Sequence, residues 1–176
     1  MPGRSTRSLD SANTVLNLAI IEGGRYFAQG SYGISESGVA MPLEGHFSVE
    51  SFPNSLVIEG KWQQHSGRPT YAVRVEIVRD PTSQSQGAVM VAASGLGQFT
   101  GRMSLRGPTL ELIAADPVNG HQLSARVVPL EKPRIYELSG IVAVKAERWF
   151  PFHLRAVPAE AEMALSKVVA LPKRSA

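Results

Sequence analysis

The 176-residue chain contains no cysteine. Disulfides, thiolate metal sites and a cysteine nucleophile are therefore excluded. It also has no run approaching the roughly 18 to 20 apolar residues that a membrane helix needs. The expectation is a cytoplasmic protein with no membrane partner. Arg4 and Arg7 precede an apolar stretch from Val15 to Ile21, which outlines a signal peptide. That stretch is short, Asn17 interrupts it, and Glu22-Gly23-Gly24-Arg25 is a poor cleavage site, so the signal-peptide reading is set aside.

Catalytic and metal motifs are missing as well. The four histidines are His46, His65, His121 and His153, and none forms an H-x-H, H-x-x-x-H or H-E-x-x-H pattern. No cofactor or metal is implied. Ser94-Gly95-Leu96-Gly97 is not a nucleophile elbow, and no phosphate-cradling loop precedes a helix. Gly60-Lys61-Trp62 repeats the G-x-W that lipocalins carry on their first strand, but here about three predicted strands come before it, and no family is assigned on it.

Surplus charge is confined to the ends. The net charge is +3, and Arg4, Arg7, Lys173 and Arg174 supply four positive charges within residues 1–9 and 172–176. Residues 10–171 hold 14 basic and 15 acidic groups, close to neutral. A nucleic-acid binder would show a basic stripe with interleaved aromatics, and none is present. Nucleic acid is thus not an expected partner. Residues 1–10 and 172–176 read as basic tails, the first of them disordered, around a single domain spanning 11–171.

That domain reads as strand after strand, with a turn signal every eight to twelve residues. Ser11 to Ile21 reads as a first strand, although a short helix would also fit. Phe27–Ile34, a short His46–Glu50, Leu56–Gln63 and Tyr71–Arg79 follow. Ala88–Ala93, Phe99–Leu105, Leu110–Ala114, His121–Val128, Ile135–Lys145 and Phe150–Val157 complete the set. Tyr71–Arg79 is the clearest: Tyr71, Val73, Val75 and Ile77 share one face, while Arg74 and Glu76 share the other. Asp116-Pro117-Val118-Asn119-Gly120 contains an Asn-Gly hairpin signal. Pro158, with Glu160 and Glu162 behind it, opens a short C-terminal helix that Pro172 ends. The fold class is an all-β antiparallel barrel of about 8 to 10 strands. A β-sandwich is the runner-up.

Phase then assigns an interior. Its richest faces carry Leu56, Ile58, Gly60 and Trp62, then Phe99, Gly101, Met103 and Leu105, then Tyr136, Leu138, Gly140, Val142 and Val144. Glycine in the middle of an inward face marks a bend or makes room. An apolar lining with a few polar handles is the usual composition of a small-molecule pocket. Trp62, Tyr71, Met103 and Phe152 are the expected ligand-binding residues. His121, in phase with Leu123, Ala125 and Val127, is a candidate acid/base group at a barrel mouth. Glu137 lies in a strand apolar on both faces, where a buried carboxylate would need a partner. It joins Tyr136 and His121 as the catalytic candidates.

The expected function is binding of an apolar small molecule. Its catalytic form is a cyclase-type enzyme that folds a flexible substrate into a reactive conformer. The alternative is a non-catalytic interaction or assembly protein with a solid barrel. A homo-oligomer is a further expectation, because an open sheet would pair through its edges.

Overall fold

The computed structural model describes residues 21–33, 38–64, 70–145 and 147–162. The strands are β1 (Gly24–Gly33), β2 (Ala40–Ser51), β3 (Ser55–Gln63), β4 (Thr70–Arg79) and β5 (Gln86–Ala93). They continue as β6 (Gly97–Arg106), β7 (Thr109–Asp116), β8 (His121–Pro129), β9 (Tyr136–Val144) and β10 (Arg148–Pro158). Each pairs antiparallel with its neighbours in sequence, and β1 pairs with β10, so ten strands close into one barrel. The barrel expectation holds and the sandwich falls away. Closure leaves no free edge among these strands, which removes edge pairing as a route to self-association.

The expected first strand at Ser11–Ile21 and both basic tails lie outside the described residues, apart from Ile21. Of the expected C-terminal helix the described residues hold a 3-10 turn over Ala159–Ala161, with Pro158 at its N-cap, and the remainder lies outside them. β2 is much longer than its predicted core of His46–Glu50. Pro42 and Gly45 are residue types that weaken a strand, yet Leu43, Gly45, Phe47 and Val49 keep strict alternation, and all ten residues of β1 find a partner on β2.

Inward alternation builds the core. Leu56, Ile77, Phe99, Met103 and Leu110 are almost fully shielded. Burying a side chain of this kind contributes about 1.5 to 3 kcal/mol each. The opposite faces are solvated and carry cross-strand ion pairs, such as Arg74 with Glu59 and Arg106 with Glu111. Pairs this exposed contribute little, on the order of 0 to 1 kcal/mol. Among the described residues no helix is long and apolar enough to cross a membrane, a test that does not bear on strands.

Candidate functional site

The two ends of the barrel differ. One end is floored. Ile21 and Tyr26 are buried there beside Tyr136. The Tyr26 hydroxyl donates to the Glu22 carbonyl at 2.7 Å, and the Glu22 amide donates to the Tyr136 hydroxyl at 3.0 Å. The two rings meet edge to face, 5.7 Å between centroids. Outside them Arg134 places its guanidinium 5.5 Å from the centre of the Tyr26 ring and reaches Glu160 Oε1 at 2.9 Å. This ties the β8–β9 loop to the C-terminal turn across the barrel end. Burial pushes the Tyr136 phenol up to about 12, because a phenolate there would lose its water.

The other end is the mouth. It is bordered by Tyr32, Trp62, Gln64, Tyr71, the Ser94–Leu96 turn and Phe150. Tyr71 is 37 % exposed and Leu96 36 %. Between floor and mouth lies a cavity of about 590 Å³ with an overwhelmingly apolar lining. That volume falls within the range of roughly 300 to 1,000 Å³ typical of ligand pockets.

A barrel with this many large inward side chains stays hollow because some of them lie against glycines in its wall. Phe47 is directly opposite Gly60 across β2–β3, and a Cβ on Gly60 would overlap the Phe47 ring and the His46 carbonyl. Phe152 is directly opposite Gly140 across β9–β10, where a Cβ would meet the ring and the Ser124 carbonyl. In both pairs the missing side chain gives the ring a seat on the backbone and keeps it out of the central space. Outside the barrel, on β7–β9 near Gly140, a shallower groove runs between Ile113, Ser124 and Ile141.

The structure gathers most of the expected site residues in one place. Trp62, Tyr71, Phe152 and Tyr136 all line the same cavity, and Trp62 and Tyr71 are direct cross-strand partners. Met103 also points inward but is only 1 % exposed and packs within the core cluster behind the lining. His121 stands at the mouth end of β8, where its Nδ1 lies 2.8 Å from the Leu96 carbonyl and its ring faces Phe99. It pins the β5–β6 turn to β8. Glu137 is on the outward face, 3.4 Å from His153 Nε2. That contact answers the question of its partner: the strand is apolar on both faces near Glu137, but the carboxylate lies outside the wall, partly exposed, beside the imidazole.

Sequence reasoning missed three participants. Phe47 falls inside the predicted His46–Glu50, but five residues are too few to assign a face; the alternation Leu43, Gly45, Phe47, Val49 over the full strand is the available signal. The Glu22 backbone gives no side-chain signal at all. Asp116, the one buried charged residue among those described, is 2 % exposed. It accepts hydrogen bonds from the amides of Val118 and Asn119 and from Asn119 Nδ2. The Asn119 side-chain bond is the main reason its carboxyl titrates below the usual range. An Asp three residues ahead of Asn-Gly was legible as a turn, though its burial was not. Among the described residues no group of three or more metal-ligating side chains is present.

No protein-family model matches the sequence, and no curated protein matches it. Similar solved structures include the S-type phycobiliprotein lyase CPES from Guillardia theta. The two share a TM-score of 0.58 at 7 % identity, over 78 % of this chain and 88 % of that one. At that identity the likeness is one of fold.

Proposed function

We propose that the protein binds an apolar small molecule inside the barrel, through the mouth end. The observation that carries this is the cavity of about 590 Å³, floored by Tyr26 and Tyr136 and bordered by Trp62 and Tyr71 at the other end. An empty apolar space of this size forgoes contacts that a packed core would make, and a bound apolar guest restores them. A solid barrel serving only assembly is disfavoured for the same reason. A similar barrel in a protein named as a phycobiliprotein lyase supports the use of this architecture for small-molecule work.

Trp62, Tyr71 and Phe152 are the proposed contacts. If the barrel is an enzyme, the chemistry suited to this lining is conformational control of the substrate, as in a cyclisation, since shape and burial are what the wall supplies. Tyr136 would then be the polar group at the closed end and His121 the one at the rim. Glu137, outside the wall, has no part in this reading.

Native mass spectrometry of protein taken directly from its source tests the proposal. A retained non-covalent mass released by organic solvent is the expected result. Absence of any adduct, together with no change in tryptophan emission across a chemically broad panel of apolar probes, would sink it.

A further inference from the structure

Resting on that reading of the lumen, we infer that its ligand is flat and aromatic-bodied, carries one polar end able to accept hydrogen bonds, and enters with the apolar end first. The lining gives the first part. The chain has four tyrosines, six phenylalanines and two tryptophans. All four tyrosines, four of the phenylalanines and Trp62 border the one cavity. Leucine and valine would suffice for an aliphatic chain. Aromatic walls add the preference of ring for ring, in offset-stacked and edge-to-face geometry. Two of these rings, Phe47 and Phe152, are seated against Gly60 and Gly140, which holds them at fixed positions along the lumen. Phe47 and Trp62 already meet edge to face at 4.3 Å, which makes a corner against which a planar guest can lie.

The polar groups give the direction of entry. At the floor both tyrosine hydroxyls are committed to the Glu22 backbone. At the mouth, Tyr32, Trp62, Gln64 and Tyr71 border the cavity, and their side chains make no hydrogen bond to any described residue. Side-chain donors with no partner among the described residues are thus found on the mouth residues, whereas both floor phenols are held by the Glu22 backbone. The body of the ligand must be uncharged. Arg126 is the sole charged residue along the lining, and it is exposed at an outward position on β8. A charge carried deep into the lumen would meet no counter-charge, which is costly.

Isothermal titration of the full-length protein with two hydroxyl-ended probes tests this. Anthracene-9-methanol represents the proposed class and 1-decanol the aliphatic one. Anthracene-9-methanol should bind at least about tenfold more tightly. Trp62→Leu and Phe152→Leu should each weaken it several-fold while leaving decanol nearly unchanged. The double variant Tyr32→Phe/Tyr71→Phe keeps the rings and removes the mouth hydroxyls, so the preference for anthracene-9-methanol over unsubstituted anthracene should shrink. Circular dichroism melts confirm that each variant folds. Decanol binding as tightly as anthracene-9-methanol, or leucine variants that weaken both probes equally, would overturn the ligand class yet leave the lumen as a binding site. An unaltered preference in the double variant would overturn the direction of entry. Binding of neither probe would remove the lumen reading and this inference together.

Discussion

Phe47 and Gly60 face each other across β2 and β3, and the phenylalanine ring rests where the glycine side chain would be. One residue's absence of volume sets the other's position. The same relationship recurs between Phe152 and Gly140, about a third of the way round the barrel. Hollowness here is thus a property of pairs, since either phenylalanine in another seat would fill the space it now borders.

Gly60→Ala should therefore act on both stability and binding. The new methyl overlaps the Phe47 ring and the His46 carbonyl, and the carbonyl belongs to a strand held on both sides. Overpacking of this kind costs typically about 1 to 3 kcal/mol. If the ring swings inward to relieve it, the cavity shrinks. A lower melting temperature together with weaker probe binding is the expected outcome. A melting curve and affinity equal to wild type would show that the ring does not depend on this seat.

Tyr136 makes a pH prediction with a definite sign. Its folded value is pushed up to about 12 from the ordinary 10, chiefly by burial. The unfolded chain releases this proton first, so the contribution is fully present below pH 10 and is lost as pH rises towards 12. Two units correspond to about 2 to 3 kcal/mol at most. Thermal melts of wild type and Tyr136→Phe should differ at pH 8, by about 1 kcal/mol for the hydrogen bond from the Glu22 amide. The pH dependence between 10 and 12 should be shallower in the variant. Identical slopes would place the phenol in contact with water.

The barrel itself was legible in the sequence because its strands alternate so regularly. Trp62, Tyr71 and Phe152 could be assigned to the interior from phase alone, since each lies among apolar residues two apart. Cavity and wall could not be separated that way. Met103 has the same phase as the lining but is 1 % exposed within the core cluster, and only its packing against residues distant in sequence decides this. Glu137 shows the opposite limit: its neighbours are apolar on both faces, and the partner that explains it, His153, comes from another strand. The floor was unreadable for a simpler reason. Its hydrogen bonds run through the backbone of Glu22, and a backbone group leaves no mark in a sequence.

Asp116 should set the acid limb of the stability curve at the β7–β8 hairpin. Its carboxyl titrates below the usual 3.8, mainly through Asn119. A depressed folded value gives stability that is present above pH 3.8 and lost as pH falls through the lower folded value. Asp116→Asn puts an amide nitrogen against Asn119 Nδ2 and should lower the melting temperature at pH 7. The gap from wild type should narrow as pH falls below 3.8, where the unfolded chain takes up the proton before the folded carboxylate does. A constant gap from pH 7 to pH 3 would assign the loss to packing alone. Because Asp116 pairs with His121 in register, the variant should also loosen the histidine that holds the Leu96 carbonyl.

Filling the lumen separates binding inside the barrel from binding on its outer groove. Leu123 lies on the inward face of β8 and borders the cavity, paired with Ala114 on one side and Val142 on the other. Leu123→Trp adds a large ring without adding charge. Where the ring can extend into open space, the overpacking cost is small, so the melting temperature should stay within a few degrees of wild type. Ligand affinity should fall at least about tenfold, since the guest and the new ring compete for one volume. Ile113→Ser changes the outer groove and leaves the interior as it was, and it should have no effect on affinity. The reverse pattern, with Ile113→Ser weakening the ligand and Leu123→Trp leaving it untouched, would move the binding site to the outside of the barrel.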